Sequence, residues 1–234
     1  LTMTLRPMPP VVLFLLWPLL QSLNFAAASS DLELVYFNAP GRAEPIRIML
    51  HAAGIEYKDT RIAGKDWPEI KPTTPLGFVP VLKIGEEEHC QSAALMRYAA
   101  KKAGCYPTDD IEALVVDEVI DSINELMSKA PRSKDPTEFE QLRKEFQETS
   151  MVQYAKYFEA KIEANGESSF LVGKMLTFAD LALQSMVQAV EIGMWDHIDE
   201  AFFDSYPDIK ALAKAVTEDD KVKAYYASKA TSDE

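Results

Sequence analysis

The sequence predicts an α/β unit followed by an all-helical unit, and three features carry that expectation. Short strand-like runs interleave with helical ones over residues 31–106, strand signals stop at the linker Gly104-Cys105-Tyr106-Pro107, and helical periodicity fills residues 107–234. A chain of 234 residues has the length for two such units at roughly 150 residues per domain. Its 47% hydrophobic and 26% charged residues are those of an ordinary globular protein. The 24 Lys+Arg against 37 Asp+Glu leave a net charge of −13, which repels phosphate backbones and anionic membrane surfaces, so no nucleic acid is expected as a partner. Cys90 and Cys105 are too few for a disulfide scaffold and lack metal-site spacing; they read as free thiols, with a single bridge as the alternative.

Leu32–Asn38 alternates like a strand and stops at Pro40 and Gly41. Ala43–Ala53 then sets Ile46, Met49, Leu50 and Ala53 at helical spacing, with Pro45 tolerated in the first turn and Gly54 placed to end the helix. Tyr57–Ile62 is a second strand, far enough on for a parallel crossover. A Pro-rich loop leads to Pro80, after which Val81–Ile84 and Glu88–Cys90 read as a hairpin about Gly85. A helix follows from Ser92, as N-cap, to Ala103, with Gly104 as its stop. This order, βαβ then ββα, is that of a thioredoxin-like fold. Beyond the linker, Ile111–Lys129 and Thr137–Asn165 read as long helices. Thr177 and Asp180 form a capping box stapled by Leu176 and Leu181, opening a third, and Pro207–Val216 and Asp220–Lys229 complete the bundle.

Residues 1–30 are of another kind. Arg6 is their one charge, Val11–Leu20 is a compact apolar run, and Ala26-Ala27-Ala28 resembles a peptidase site, so the segment reads as a removable presequence. An organelle presequence, an interfacial anchor and a translation artefact are the competing readings. The run is half the ~20 residues a helix needs to cross a bilayer, and Pro18 interrupts it, so no stable membrane span is expected. No N-x-S/T sequon occurs in the chain, which argues against the glycosylating secretory pathway.

The string Tyr36-Phe-Asn-Ala-Pro-Gly-Arg-Ala-Glu44, the loop Asp66-Trp-Pro-Glu-Ile-Lys71, the Val79-Pro80 step and Gln91-Ser-Ala-Ala-Leu-Met-Arg-Tyr98 stand in the order and spacing of the glutathione transferases. The chain resembles that family over nearly all of residues 31–229. The Asp-Trp-Pro-Glu loop and the Gln-Ser pair are similar to the sigma class, which includes haematopoietic prostaglandin D synthase. The resemblance implies a glutathione-binding domain over 31–106 and a helical domain over 107–234 that holds a second-substrate pocket and dimer contacts. It further implies glutathione as co-substrate, no required metal, a small hydrophobic electrophile and a homodimer. The location it implies is the cytoplasm, or the secretory pathway or an organelle if residues 1–30 are a genuine presequence.

Such an enzyme must ionise a thiol whose pKa of ~8.5 leaves only a few per cent thiolate at pH 7. By resemblance Tyr36 is the residue that aims a hydroxyl at the sulfur, and Arg42 polarises the site unless it merely pairs with Glu44. Phe78, Val79 and Pro80, with a cis bond at the X-Pro step, would present the Val79 backbone to the cysteinyl part of glutathione. Gln91 and Ser92 would take the γ-glutamyl carboxylate at a helix N-terminus, where the dipole favours an anion. Trp67 and Lys71 would face the glycine end. Glu125 would reach across the dimer, although Asp117, Asp121 and Glu125 share one helical face and also read as a solvated stripe or a divalent-ion site. Phe37, Ala39, Arg42, Met127, Arg132, Ala182 and Met186 would form the second-substrate pocket. Arg132 and Ala182 stand where prostaglandin-making relatives carry aromatics, which suits small or varied electrophiles. Two alternatives remain beside a conjugating enzyme: a non-catalytic S-crystallin-like protein and a glutathione-dependent prostaglandin isomerase. A disulfide reductase would need a cysteine near Tyr36, and the sequence has none there.

Overall fold

Alternation in Leu32–Phe37 makes this segment strand β1 of a four-stranded sheet, in a computed structural model that describes residues 32–166 and 168–230. The expected presequence at 1–30 lies outside the described residues. With β2 (Lys58–Ile62), β3 (Val81–Ile84) and β4 (Glu87–Cys90), the sheet order is β2-β1-β3-β4. β1 runs parallel to β2 and antiparallel to β3, and β3 antiparallel to β4. The parallel crossover carries helix α1 (Glu44–Ala52), preceded by a 3-10 turn at Gly41–Ala43. Helix α2 (Ser92–Lys102) follows β4. This is the thioredoxin-like unit the sequence predicts.

The two faces of the sheet part company in a way that period-2 alternation dictates. Leu32, Leu34 and Leu82 point into the main core, while Val35, Ile62 and Val81 form a small separate cluster covered by Phe37, Trp67, Ile70 and Val79. Helix α1 departs from the single apolar stripe expected. Every residue from Glu44 to Leu50 is buried, because the helix is wedged between α2 and the helical unit and shares its core with Leu34 and Leu82 of the sheet.

The helical unit begins with α3 (Asp110–Lys129), whose first turn is held by the Asp109 side chain accepting from the N–H groups of Ile111 and Glu112 at 2.9 and 3.0 Å. The helix expected over 137–165 runs without a break over residues 136–164, as α4 (Pro136–Phe146) and α5 (Val152–Ala164) joined through a π turn at Gln147–Met151 that the sequence reading did not foresee. The physical reason is spacing. Phe146 and Met151 are both buried yet five residues apart, a step that a wide turn brings onto one face and a regular α-turn does not. Helices α6 (Phe178–Glu191), α7 (Pro207–Glu218) and α8 (Asp220–Ala230) follow. One continuous core joins the two units, from Leu34 and Met49 through Val119 and Phe178 to Val222. Cys90 and Cys105 are free. No helix among the described residues is long and apolar enough to cross a membrane.

The capping box forms as the sequence predicts and does more than end a helix. Asp180, fully buried, accepts from the N–H groups of Leu171 and Thr177 at 2.8 and 2.7 Å and from the Thr177 hydroxyl at 2.6 Å. It thereby ties the preceding loop to the start of α6. Burial pushes the Asp180 carboxyl up to about 6, winning over the Thr177 hydroxyl and the Leu171, Thr177 and Asp180 backbone groups that favour its ionised form. The native state therefore holds this proton more tightly than the unfolded chain. Its stabilising contribution is complete below about pH 4 and is lost as the pH rises through about 6. Urea unfolding at a series of pH values should show the stability difference between wild type and Asp180→Asn, which cannot titrate, shrinking by about 3 kcal/mol between those limits. Parallel stability curves would show that Asp180 stays ionised throughout.

Candidate active site

The register of the sheet lines up the residues singled out in the sequence. Val35 pairs with Val81 and Val81 with Cys90, so the next row along the same edge is Tyr36, Pro80 and Gln91. On the other side of β1, Tyr36 and Phe37 pair with Arg61 and Ile62, from which the loop carrying Trp67 and Lys71 departs. The N-termini of α1 and α2 open at this same edge. Four stretches remote in sequence, about Tyr36, Arg61–Lys71, Pro80 and Gln91, thus converge at the end of the sheet.

Tyr36 is half-buried, and its hydroxyl accepts the backbone N–H of Arg42 at 3.2 Å. That bond requires a glycine at position 41. Gly41 has φ +47, and a Cβ there would sit 2.6 Å from the Tyr36 hydroxyl oxygen. The Arg42 side chain does not pair with Glu44, contrary to the bland expectation; its Nη2 lies 3.8 Å from the Met127 sulfur on α3. Glu44 is engaged elsewhere, by Arg47, Tyr225 and Lys229. Phe37 stands edge-on to both Tyr36 and Trp67, with ring centroids 5.5 and 5.1 Å apart.

The loop between β2 and β3 is a series of short turns: 3-10 at Gly64–Asp66, one α-turn at Trp67–Ile70 and 3-10 again at Lys71–Thr73. Lys71 is exposed and its stem runs along Gly77. Phe78 is 68% exposed, an unusual setting for a large apolar ring. The Val79-Pro80 bond is cis and Pro80 is buried. Ser92 is not the N-cap expected. Gln91 holds that position, and Ser92 is the first helical residue, buried to 7% exposure. Gln91 has φ 74, a left-handed conformation that costs a non-glycine residue about 1–3 kcal/mol and is retained where the surroundings impose it.

The remaining candidates are dispersed. Glu125 is exposed on α3 and pairs with Lys129 at 2.8 Å; hydrogen bonds from Lys129 and Tyr154 hold its carboxyl below the usual range. Asp117 of the same stripe binds Arg97 at 2.9 Å and the Tyr106 hydroxyl at 3.1 Å, a structural role. Among the described residues no group of three or more His, Cys, Asp or Glu gathers as a metal site would require. Of the second-substrate set, Met127 meets Arg42, Ala39 borders the Tyr36 turn, Ala182 is half-buried and Arg132 is exposed. Met186, at 5% exposure, belongs to the core and offers little surface to a ligand. Gly41 and Arg47 were not singled out by the sequence reading. A charge between apolar residues on a helix, three positions after a glutamate, marks Arg47 only once the burial of α1 on all sides is known.

The sheet order, the cis-proline step and the attached helical unit define a two-domain thioredoxin-like protein. The family profile described as Glutathione S-transferase, N-terminal domain matches residues 32–101, and that described as Glutathione S-transferase, C-terminal domain matches residues 121–229. The Glutathione S-transferase class-mu 28 kDa isozyme of Schistosoma japonicum is 33% identical over 189 residues, 76% of this chain and 87% of the relative. S-crystallin SL11 of Nototodarus sloanii is 30% identical over 197 residues, 82% of this chain and 93% of that protein. The solved structure of prostaglandin synthase D of Nilaparvata lugens matches with a TM-score of 0.74 at 34% identity, covering 84% of this chain and 96% of its own. The chain therefore belongs to the glutathione S-transferase family and as a member is classed as a glutathione transferase.

Two glycines allow the crowding at Tyr36 to be measured apart from backbone strain. Gly54 has φ +64 with nothing within 4 Å of a Cβ, whereas Gly41 combines a similar φ with the overlap on Tyr36. Gly54→Ala should cost about 1 kcal/mol for the left-handed conformation alone. Gly41→Ala should cost about 1–3 kcal/mol more because the tyrosine must move. Equal losses in urea unfolding would show that the Tyr36 ring is free to swing aside.

Proposed function

We propose that this enzyme binds glutathione at the open end of the sheet and activates its thiol with the Tyr36 hydroxyl for attack on small electrophiles. The observation that carries the reading is the geometry at Tyr36: its oxygen accepts the Arg42 N–H at 3.2 Å, which leaves its own proton to donate. An N–H bonded to the hydroxyl oxygen draws electron density from the O–H and strengthens it as a donor. A charge-assisted hydrogen bond to a thiolate is worth ~1.5–3 kcal/mol, and each pKa unit is ~1.36 kcal/mol, so one such donor lowers a thiol by one to two units.

The other residues hold the tripeptide. The Val79 backbone, turned by the cis bond, pairs with the cysteinyl unit in the manner of an added strand. Ser92 and Gln91 receive the γ-glutamyl carboxylate at the start of α2, where the unsatisfied N–H groups and the dipole favour an anion. Trp67 and Lys71 close over the glycine end. Arg42 and Met127, side by side, face the electrophile together with Phe37, Ala39, Arg132 and Ala182. The sigma-class assignment is supported by the Asp66–Glu69 turn, and isomerisation of a prostaglandin endoperoxide would use the same thiolate. The intact tyrosine and its donor favour an enzyme over an S-crystallin-like structural protein.

Tyr36→Phe removes the hydroxyl with almost no loss of volume. Conjugation of an aromatic chloride at pH 7 should fall roughly ten- to a hundredfold, while glutathione affinity changes little. The ultraviolet absorbance of the bound thiolate, followed against pH, should shift upward by one to two units. Coincident titration curves would make Tyr36 a packing residue and sink the mechanism.

We further propose that two copies pair through α3 and the α4–α5 segment, bringing exposed Glu125 to the partner's glutathione. Sedimentation at micromolar concentration should then report a dimer. An active monomer would remove any role for Glu125 across the interface.

A further inference from the structure

We infer that Arg47, which is shut off from solvent behind Tyr36, is the positioning residue that fixes the Tyr36–Arg42 hydrogen bond, and that helix α8 holds it there. The inference rests on the reading of Tyr36 just given. Among the described residues Arg47 is the largest side chain with no exposure at all. Its Nη1 donates to the carbonyls of Ala39 and Pro40 at 3.1 and 3.2 Å, the two peptide groups immediately before Gly41. Its guanidinium carbon lies 5.8 Å from the centre of the Tyr36 ring. One planar cation therefore grips both partners of the critical hydrogen bond: the turn that aims the Arg42 N–H, and the ring that presents the hydroxyl.

A buried charge is tolerated only when paired, and Arg47 is paired on two sides. Its Nε binds Asp59 on β2 at 3.1 Å, and Asp59 is held in turn by Arg61 at 2.7 Å. Its Nη1 binds Glu44 at 3.0 Å. The second oxygen of Glu44 receives the Tyr225 hydroxyl at 3.1 Å and the Lys229 ammonium at 2.9 Å, both from α8, more than 180 residues further along the chain. Burial and the Glu44 carboxylate hold the Tyr225 hydroxyl far above the usual phenol range, so it remains a donor. The Nη2 of Arg47 is buried without a hydrogen-bond partner, so the guanidinium is oriented by its Nε and Nη1 partners alone, with Asp59 and Glu44 as the two carboxylates. Helix α8 thus sets the geometry of the tyrosine on β1.

The test compares full-length Arg47→Lys, Tyr36→Phe and the double variant. A lysine keeps the charge but cannot span two carbonyls and two carboxylates from one plane. We expect Arg47→Lys to lower kcat about tenfold, to raise the pH at which the bound thiol ionises, and to leave KM for glutathione within about twofold of wild type. Because Arg47 acts through Tyr36, the double variant should be no slower than Tyr36→Phe alone. Rate losses that multiply, or an unshifted thiol titration in folded Arg47→Lys, would overturn the inference. If Arg47→Lys gives no cooperative unfolding transition, Tyr225→Phe combined with Lys229→Met frees Glu44 from the surface side. A thiol titration shifted in the same direction would then support the inference, and one identical to wild type would overturn it. An unshifted titration in Tyr36→Phe defeats the catalytic reading itself, whereas a shift there without one in Arg47→Lys defeats only this inference.

Discussion

The pairing of Val35 with Val81, and of Val81 with Cys90, is the constraint on which the rest depends. A slip of one residue in either ladder would turn every side chain of that strand to the other face. It would also carry Tyr36 out of line with Pro80 and Gln91. The register is secured by the unequal chemistry of the two faces: leucines toward the helices, and a small cluster of Val35, Ile62 and Val81 under the loop. The same apolar residues that stabilise the sheet therefore place the polar groups at its end.

The second constraint is charge kept from water. Helix α1 is surrounded, so Glu44 and Arg47 cannot be solvated and must satisfy each other and their neighbours. Their partners come from β2 and α8, and this makes the join between the two units polar at its centre and apolar around it. The second join, where Arg97 and Tyr106 meet Asp117 and Tyr106 stacks on Phe178 with centroids 5.9 Å apart, has the same character. Such interfaces specify orientation more sharply than an apolar contact, because each donor must meet its acceptor.

Much of this was legible in the sequence. The alternation of Leu32–Phe37, the glycines ending α1 and α2 and the Thr177–Asp180 box each act locally, within one or two turns of chain, so their meaning survives without tertiary context. Three features were not legible. Ser92 looks like a cap because serine usually is one, yet here Gln91 takes a left-handed conformation that only the surrounding fold imposes. Arg47 looks like a surface charge, since burial of α1 on all sides depends on helices far along the chain. The proposed second-substrate pocket was assembled from residues on several elements, and the structure sends Met186 into the core. Which face such a residue presents is settled by packing, not by its neighbours in sequence.

The π turn at Gln147–Met151 sets the phase of α5 independently of α4. In an uninterrupted α-helix each residue advances about 100°, so the same sequence wound regularly would swing Met151, Phe158 and Ile162 off the core by that angle. The wide turn absorbs one residue, and it is pinned from outside by the Gln147 side chain accepting the N–H of Asp199 at 2.7 Å. One residue more than a regular α-helix would hold is therefore accommodated inside this helical run, while the buried rows on both sides, Phe146 before it and Phe158 and Ile162 after it, keep their alignment.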